Sequence, residues 1–308
     1  MTDPGGGASR RHLDRGPRPP PTPGDPPAFQ NLEHGETRSM DSQTPDNGIV
    51  PSAESKAAGQ GQYLYCVIAG DTPQTFDVDG IGGPGDAVYT LPLEGLSAVV
   101  SRSPEAEYDS TRRNLTAHMR VLETVMADHT IVPIRFGSVA PNEETVYDTL
   151  LKPQREAIRA LLAELDGRVE MGLKVFWMEG VLYAEVLSDR PDIAQLRDKL
   201  LGRSPEETYY ERVKVGELMD AAVTEKRDRE ARALLEHVGP LAHRTKRLDA
   251  LGEQTVLNAA LLIGRSKIDA LEERVAQLDG DNGERLLFKL VGPTAPYNFV
   301  DLALTPSG

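Results

Sequence analysis

Apolar residues recur at two different spacings along this 308-residue chain. The change from one spacing to the other predicts its elements. Tyr63 to Ala69 (YLYCVIA) is rich in strand formers and reads as a central strand. Ala87 to Leu91 and Leu96 to Ser101 read as further strands. Over 111–128 the spacing becomes helical, with Leu115, Met119, Leu122 and Met126 in one stripe and Asp109 to Thr111 able to cap the start. His118 lies beside that stripe, which predicts a partly buried, hydrogen-bonded histidine. Ile131 to Gly137 (IVPIRFG) alternates again, but Pro133 removes a donor, so it is an edge strand or carries a bulge. Arg135 sits between apolar neighbours there and predicts a buried ion pair in preference to a ligand contact. Asn142 opens the next helix, Pro153 splits it, and Ile158, Leu161, Leu162 and Leu165 continue its stripe to Gly167.

Past Gly167 the period of two returns, with Val169, Met171, Leu173, Val175 and Trp177 on one face. Glu179 to Leu200 reads as helical pieces separated at Pro191. Ser204-Pro205-Glu206-Glu207 is a capping box with proline at the first helical position. It launches a long helix to Val238, stopped by Gly239-Pro240. The middle of that helix, Glu225 to Arg232, is charged on every side and is expected to project into solvent. Leu241 to Leu248 is a basic strand whose cations either protect a sheet edge or meet an acidic partner. Gln254 to Ile263 is nearly all apolar and reads as a central strand buried on both faces, in which Asn258 needs a partner. Ser266 is expected to cap a last helix, lined by Ile268, Leu271, Val275 and Leu278, and Asp279 to Gly283 to form a turn.

In the closing stretch Leu286, Phe288 and Leu290 alternate with Leu287, Lys289 and Val291, a strand that Gly292-Pro293 should stop. Tyr297 and Phe299 then read as pinning the C-terminal tail, onto the domain in preference to a partner. The second half thus runs strand, helices, strand, strand, helix, strand, the split βαβ plan of an antiparallel sheet with helices on one face. The fold class is α+β. Residues 1–60 form a tail, 61–167 an N-terminal domain, and 168–308 a second domain with the long helix and the C-terminal tail.

Composition changes this picture at the N-terminus. Residues 1–60 hold ten of the 23 prolines and almost no periodic apolar residues, which predicts disorder. The net charge of −14 and a pI near 5.0 argue against a nucleic-acid partner, which needs concentrated basic surface. A lone Cys66 gives no internal disulfide and no cysteine-based zinc site, and fits a reducing compartment. With no apolar signal region and no apolar run of roughly 20 residues, a soluble, cytoplasmic chain with no membrane contact is expected.

Candidate chemistry is sparse. Gly80 to Gly85 (GIGGPG) imitates a phosphate cradle, but a strand follows it and Pro84 removes a donor. Asp77, Asp79 and Asp86 match no calcium-loop spacing. No nucleophile elbow, P-loop, zinc-protease or kinase motif is present in the sequence. The residues point to a binding or assembly protein.

Three stretches in order carry a resemblance: YLYCVIAG (Tyr63 to Gly70), IVPIRFGSV (Ile131 to Val139) and FKLVGPTAPYNFVDL (Phe288 to Leu302). ERVKVGELMDAA (Glu211 to Ala222) and TVLNAALLIGR (Thr255 to Arg265) support it. Over roughly Gln62 to Leu304 the chain resembles the gas vesicle GvpF/GvpL family. The resemblance implies a two-domain protein whose second domain is a modified ferredoxin-like fold. It implies a minor structural or accessory protein of cytoplasmic gas vesicle assembly that binds the small hydrophobic wall protein and other accessory proteins. It implies no cofactor, metal, reaction or small-molecule substrate. Candidate partner contacts are Tyr297, Asn298, Phe299, Arg135 and the middle of the long helix. The alternative is an enzyme or small-molecule sensor using the cleft between two α+β domains.

Overall fold

The computed structural model describes residues 61–104 and 107–302, so the disorder expected over 1–60 lies outside the described residues. Ten strands and seven helices follow in the order β1 (Gly61–Ala69), β2 (Thr75–Asp79), β3 (Ala87–Leu93), β4 (Leu96–Ser103), α1 (Arg112–Asp128), β5 (Ile131–Pro133), β6 (Val139–Ala140), α2 (Glu143–Val146), α3 (Arg155–Leu165), β7 (Arg168–Trp177), α4 (Val181–Asp189), α5 (Pro191–Asp198), α6 (Tyr209–Val238), β8 (Arg244–Arg247), β9 (Thr255–Gly264), α7 (Ile268–Asn282) and β10 (Leu286–Thr294) among the described residues. The fold is α+β with two antiparallel sheets.

The first sheet runs β2-β3-β4-β1-β5, with β6 also paired to β1. The strand YLYCVIA is central, as expected, and the IVP segment is an edge strand of three residues. Between Leu64 and Cys66 the register of β1 against β4 slips by one residue. A bulge re-aims side chains, and here Tyr63, Tyr65, Cys66 and Ile68 all join one core with α1, while Leu64 and Val67 join another with α2 and α3. The α1 face that is buried is centred on His118, Leu122 and Val125, with Thr111 accepting from the Asn114 N–H as its cap. Asn142 caps α2 in the same way. A π-helical turn over 147–151 and Pro153 then separate α2 from α3. The sequence reading missed β2, in which Phe76 and Val78 alternate with aspartates inside a Gly- and Asp-rich stretch.

The second sheet runs β10-β7-β9-β8. Ranked by chain order within the sheet this is 4-1-3-2, the split βαβ arrangement of ferredoxin-like domains. Val169, Met171, Leu173, Val175 and Trp177 of β7 and the alternate residues of β9 pack against α4, α5, α6 and α7. The central β9 is buried along nine of its ten positions, and Asn258 inside it donates to the Asp249 carbonyl at 2.8 Å.

Five local expectations need correction. The Ser204 hydroxyl accepts from the Glu207 N–H at 3.3 Å, but that turn stands apart and α6 begins at Tyr209. No side chain caps α7, which starts behind a single 3-10 turn containing Ser266 and runs through Asp279–Asn282 without a turn. β10 does not stop at Gly292-Pro293, whose peptide bond is cis; it resumes pairing at Thr294 opposite Glu170. The charged middle of α6 does not project. Lys226 is buried, its ammonium 3.1 Å from Glu185, 2.9 Å from Asp189 and 3.9 Å from Glu230. Arg227 donates to the carbonyls of Thr255 and Glu253. Charge on all sides of a helix is compatible with burial when neighbouring elements supply the counter-charges. The first two turns of α6 are exposed almost throughout, with Tyr209, Tyr210 and Val213 facing solvent.

Candidate functional site

The last described segment, Ala295 to Leu302, touches more distinct elements than its length suggests. At Gly292 the backbone has φ +130, and a Cβ there would lie 2.8 Å from Met171 Sδ and 2.9 Å from the Glu170 carbonyl. Only glycine lets β10 pass so close to β7 in that conformation. Ala295 and Pro296 are buried, and a 3-10 turn over Tyr297–Phe299 follows.

That turn sends three neighbouring side chains in three directions. The Tyr297 hydroxyl lies 2.5 Å from His118 Nε2, and the Tyr63 hydroxyl 2.9 Å from His118 Nδ1. Tyr63 Oη also accepts the Gly137 N–H at 3.1 Å. A neutral imidazole donates through one nitrogen and accepts through the other, so one tyrosine accepts from His118 and the other donates to it. His118 is 1% exposed, and burial lowers its pKa from 6.5 to about 4. Burial also pushes the phenols of Tyr63 and Tyr297 upwards, so both stay protonated and able to donate.

Asn298 points to β7. Its backbone N–H and its amide Nδ2 donate to the two oxygens of Glu170, at 2.9 and 2.6 Å, and its carbonyl accepts from Lys246 Nζ of β8 at 3.1 Å. Glu170 is 7% exposed. Burial raises its pKa; the two Asn298 bonds and the Lys246 charge oppose that shift. Phe299 is buried, with the Arg244 guanidinium 5.4 Å from its ring centre. Arg244 in turn pairs with Glu164 at 2.8 Å. Leu302 is buried in the same core as Phe299, Leu262 of β9 and Leu165 of α3.

Two concavities were candidates for a small-molecule site. The first, about 170 Å³, lies at the C-terminal end of α1 beside Asp166, Arg168 and Arg265. Several of its polar groups are already engaged: Arg265 donates to the Met126 carbonyl at 2.7 Å and Thr130 to Asp166 at 3.1 Å. It is smaller than the ~300 Å³ at which ligand clefts begin. The second, about 350 Å³, is an open dish beside Phe76 and Asp86. Asp86 and Asp79 there accept the N–H groups of Gly82 and Gly85, so the glycine loop is filled by its own carboxylates. Among the described residues no group of three His, Cys, Asp or Glu is placed to hold a metal ion.

The family model described as "Gas vesicle synthesis protein GvpL/GvpF" matches residues 61–301. The chain belongs to the GvpL/GvpF family. It is 29% identical over 245 residues to gas vesicle protein F of Nostoc sp., covering 79% of this chain and 99% of that relative. The crystal structure of GvpF from Anabaena sp. superposes with a TM-score of 0.69 at 29% identity, and that of GvpF from Microcystis aeruginosa with 0.67 at 29%. Each covers 79% of this chain and 99% of the solved chain. The match thus begins where the described residues begin.

The site residues expected from sequence fall as follows in this GvpL/GvpF-family chain. Tyr297, Asn298 and Phe299 come together in one turn and face inwards. Arg135 does not form the buried ion pair expected of it. β5 ends at Pro133, the chain turns outwards, and the Arg135 side chain is 71% exposed, 3.4 Å from the still more exposed Asp301. His118 is more deeply buried than expected. Glu170 was missed. Its signal was a carboxylate between Val169 and Met171 at the apolar start of β7, a position that demands donors from elsewhere.

Proposed function

We infer from membership of this family a role in gas vesicle formation. We propose that this chain serves as an accessory protein of assembly, holding the small hydrophobic wall protein and further accessory proteins in the cytoplasm while a vesicle nucleates, with no bond made or broken. The family match across 61–301 carries this reading. No helix among the described residues is long and apolar enough to cross a membrane. The contact we assign runs over the rim of the C-terminal segment. Arg135 and Asp301 offer exposed charges there, and Tyr297, Asn298 and Phe299 hold the rim in shape from beneath. A soluble acidic chain can cover strand edges and apolar surface of an aggregation-prone subunit until that subunit joins a nucleus.

The test is a pull-down of the tagged chain from cells assembling vesicles. Wall protein should co-purify with the native chain and much less with an Arg135→Glu/Asp301→Arg double variant, whose altered groups are exposed and leave the fold intact. Equal recovery from both would remove this surface from the reading. Turnover of a metabolite by the purified chain would favour the enzymatic alternative, for which the two concavities provide no support.

A further inference from the structure

Two exposed patches of opposite charge lie on opposite sides of the second sheet. The odd-numbered residues of β7 face α4 to α7, so alternation turns Lys174 and Phe176 to the other face. There β10 sets Lys289 directly opposite Lys174, and Leu287 directly opposite Phe176. Like charges directly opposite on neighbouring strands repel. Among the described residues neither ammonium has an ion pair or a hydrogen bond, and Lys289 Nζ lies 5.8 Å from the centre of the Phe176 ring. The β9 side of this face is covered, since Ala260 and Leu262 join the core of Phe299 and Leu302. The β10 side is open, with Leu287 42% exposed and Phe176 and Val291 half-buried. In a chain of net charge −14, an uncompensated lysine pair beside open apolar side chains suits an acidic, apolar occupant.

The start of α6 has that chemistry. Tyr209 is 61% exposed and Tyr210 83%, their rings edge to face with 5.4 Å between centres. Leu201 and Val213 are exposed as well. The turn beneath is tied down. Buried Thr208 donates to the Ser204 carbonyl at 2.7 Å, and Arg212 donates to the Thr208 hydroxyl and to the Leu200 and Arg203 carbonyls. Glu206, Glu207 and Glu211 are exposed, and their carboxylates have no ion pair among the described residues. Lys214 is taken by Glu217 at 3.4 Å, which leaves Arg203 as the one unengaged cation over 201–217 among the described residues.

We propose that copies of this chain associate head to tail, the Tyr209–Tyr210 face of α6 in one copy seated on the Lys174–Lys289 face of the next. The tyrosine rings cover Phe176 and Leu287, and the glutamates meet the two ammoniums. Because α6 lies on the helix side of its own sheet, a copy cannot make this contact with itself. A contact between two different patches leaves one of each free at the ends, so it repeats from copy to copy.

Sedimentation velocity of the full chain over a concentration series tests this. The sedimentation coefficient of the native chain should rise with concentration. Lys174→Gln/Lys289→Gln and Tyr209→Ala/Tyr210→Ala should each weaken association at least about tenfold, with circular-dichroism spectra unchanged. Mixed one to one, the two double variants retain one intact contact between them, and should form a dimer that grows no further. A native chain that stays monomeric at every concentration overturns the proposal. Association that neither double variant weakens also overturns it, as does a mixture that stays monomeric.

Discussion

Lowering the pH should destabilise this protein through His118, by an amount that follows from its surroundings. The imidazole is enclosed by Tyr63, Tyr65, Phe136 and Tyr297, none of which carries a charge to stabilise an imidazolium. Its folded pKa is about 4 against 6.5 for the free side chain. As pH falls below 6.5 the unfolded chain takes up the proton first, so stability present above that value is lost progressively down to about 4. The full shift is worth about 3 kcal/mol at ~1.4 kcal/mol per unit. Linkage puts the loss at about 1.3 kcal/mol near pH 5.5 and about 2.5 kcal/mol near pH 4.5. With a urea slope of about 3 kcal/mol per molar, the first of these lowers the midpoint by roughly 0.4 M. The assay is a series of urea unfolding curves from pH 8 to 4.5 on the native chain and on His118→Gln. Glutamine keeps a donor and an acceptor for the tyrosines but cannot titrate. The variant should start lower and lose less as the pH falls, because Glu170 and the other carboxylates titrate in both. Parallel pH profiles for the two proteins would show that His118 is not the proton-sensitive group, and would refute the argument from burial.

Other substitutions probe the same architecture. Gly292→Ala should cost at least about 2 kcal/mol, from a left-handed φ and a contact with Met171 Sδ, and should lower the melting temperature; an unchanged melt would show that β10 does not need its close approach to β7. Asn298→Ala removes a charge-assisted bond to Glu170, worth about 2 kcal/mol. It should also raise the Glu170 pKa further, readable by carboxyl NMR titration. Because a raised carboxyl pKa gives stability below 4.5 that is lost as pH rises through the folded value, Glu170→Gln should remove that pH dependence, while its amide NH2, set against one of the two Asn298 donors, should lower stability at neutral pH in urea unfolding. Lys226→Ala leaves Asp189 without its closest cation, while Arg285 still holds Glu185 and Glu230; about 2 kcal/mol should be lost, and Asp189→Ala in the same chain should restore part of it in urea unfolding.

Element types and their order were legible in the residues because burial of one face imposes a local period. YLYCVIA, the run from Thr255 to Ile263 and the alternation from Val169 to Trp177 each announce a strand without reference to any other segment. The order of elements after Gly167 was enough for the split βαβ sheet. Three quoted stretches were enough for the family. Punctuation was less legible: Ser266, Gly292-Pro293 and Asp279–Gly283 look like boundaries, yet the chain passes each in a regular element or a single turn. A local stop signal is worth only about 1 kcal/mol and yields to packing.

What no local pattern contained is which remote group each polar side chain would meet. Lys226 is buried because α4 brings Glu185 and Asp189 to it, and Arg135 is exposed because β5 ends two residues earlier. His118 becomes the junction of the molecule because a bulge at Tyr65 sets the faces of β1 and because Tyr297 arrives from the far end of the chain. Hydrophobic periodicity is a property of neighbours along the backbone. The fate of a charge or a hydrogen-bonding group depends on whether folding delivers its partner, and that is settled only when distant segments close on one another.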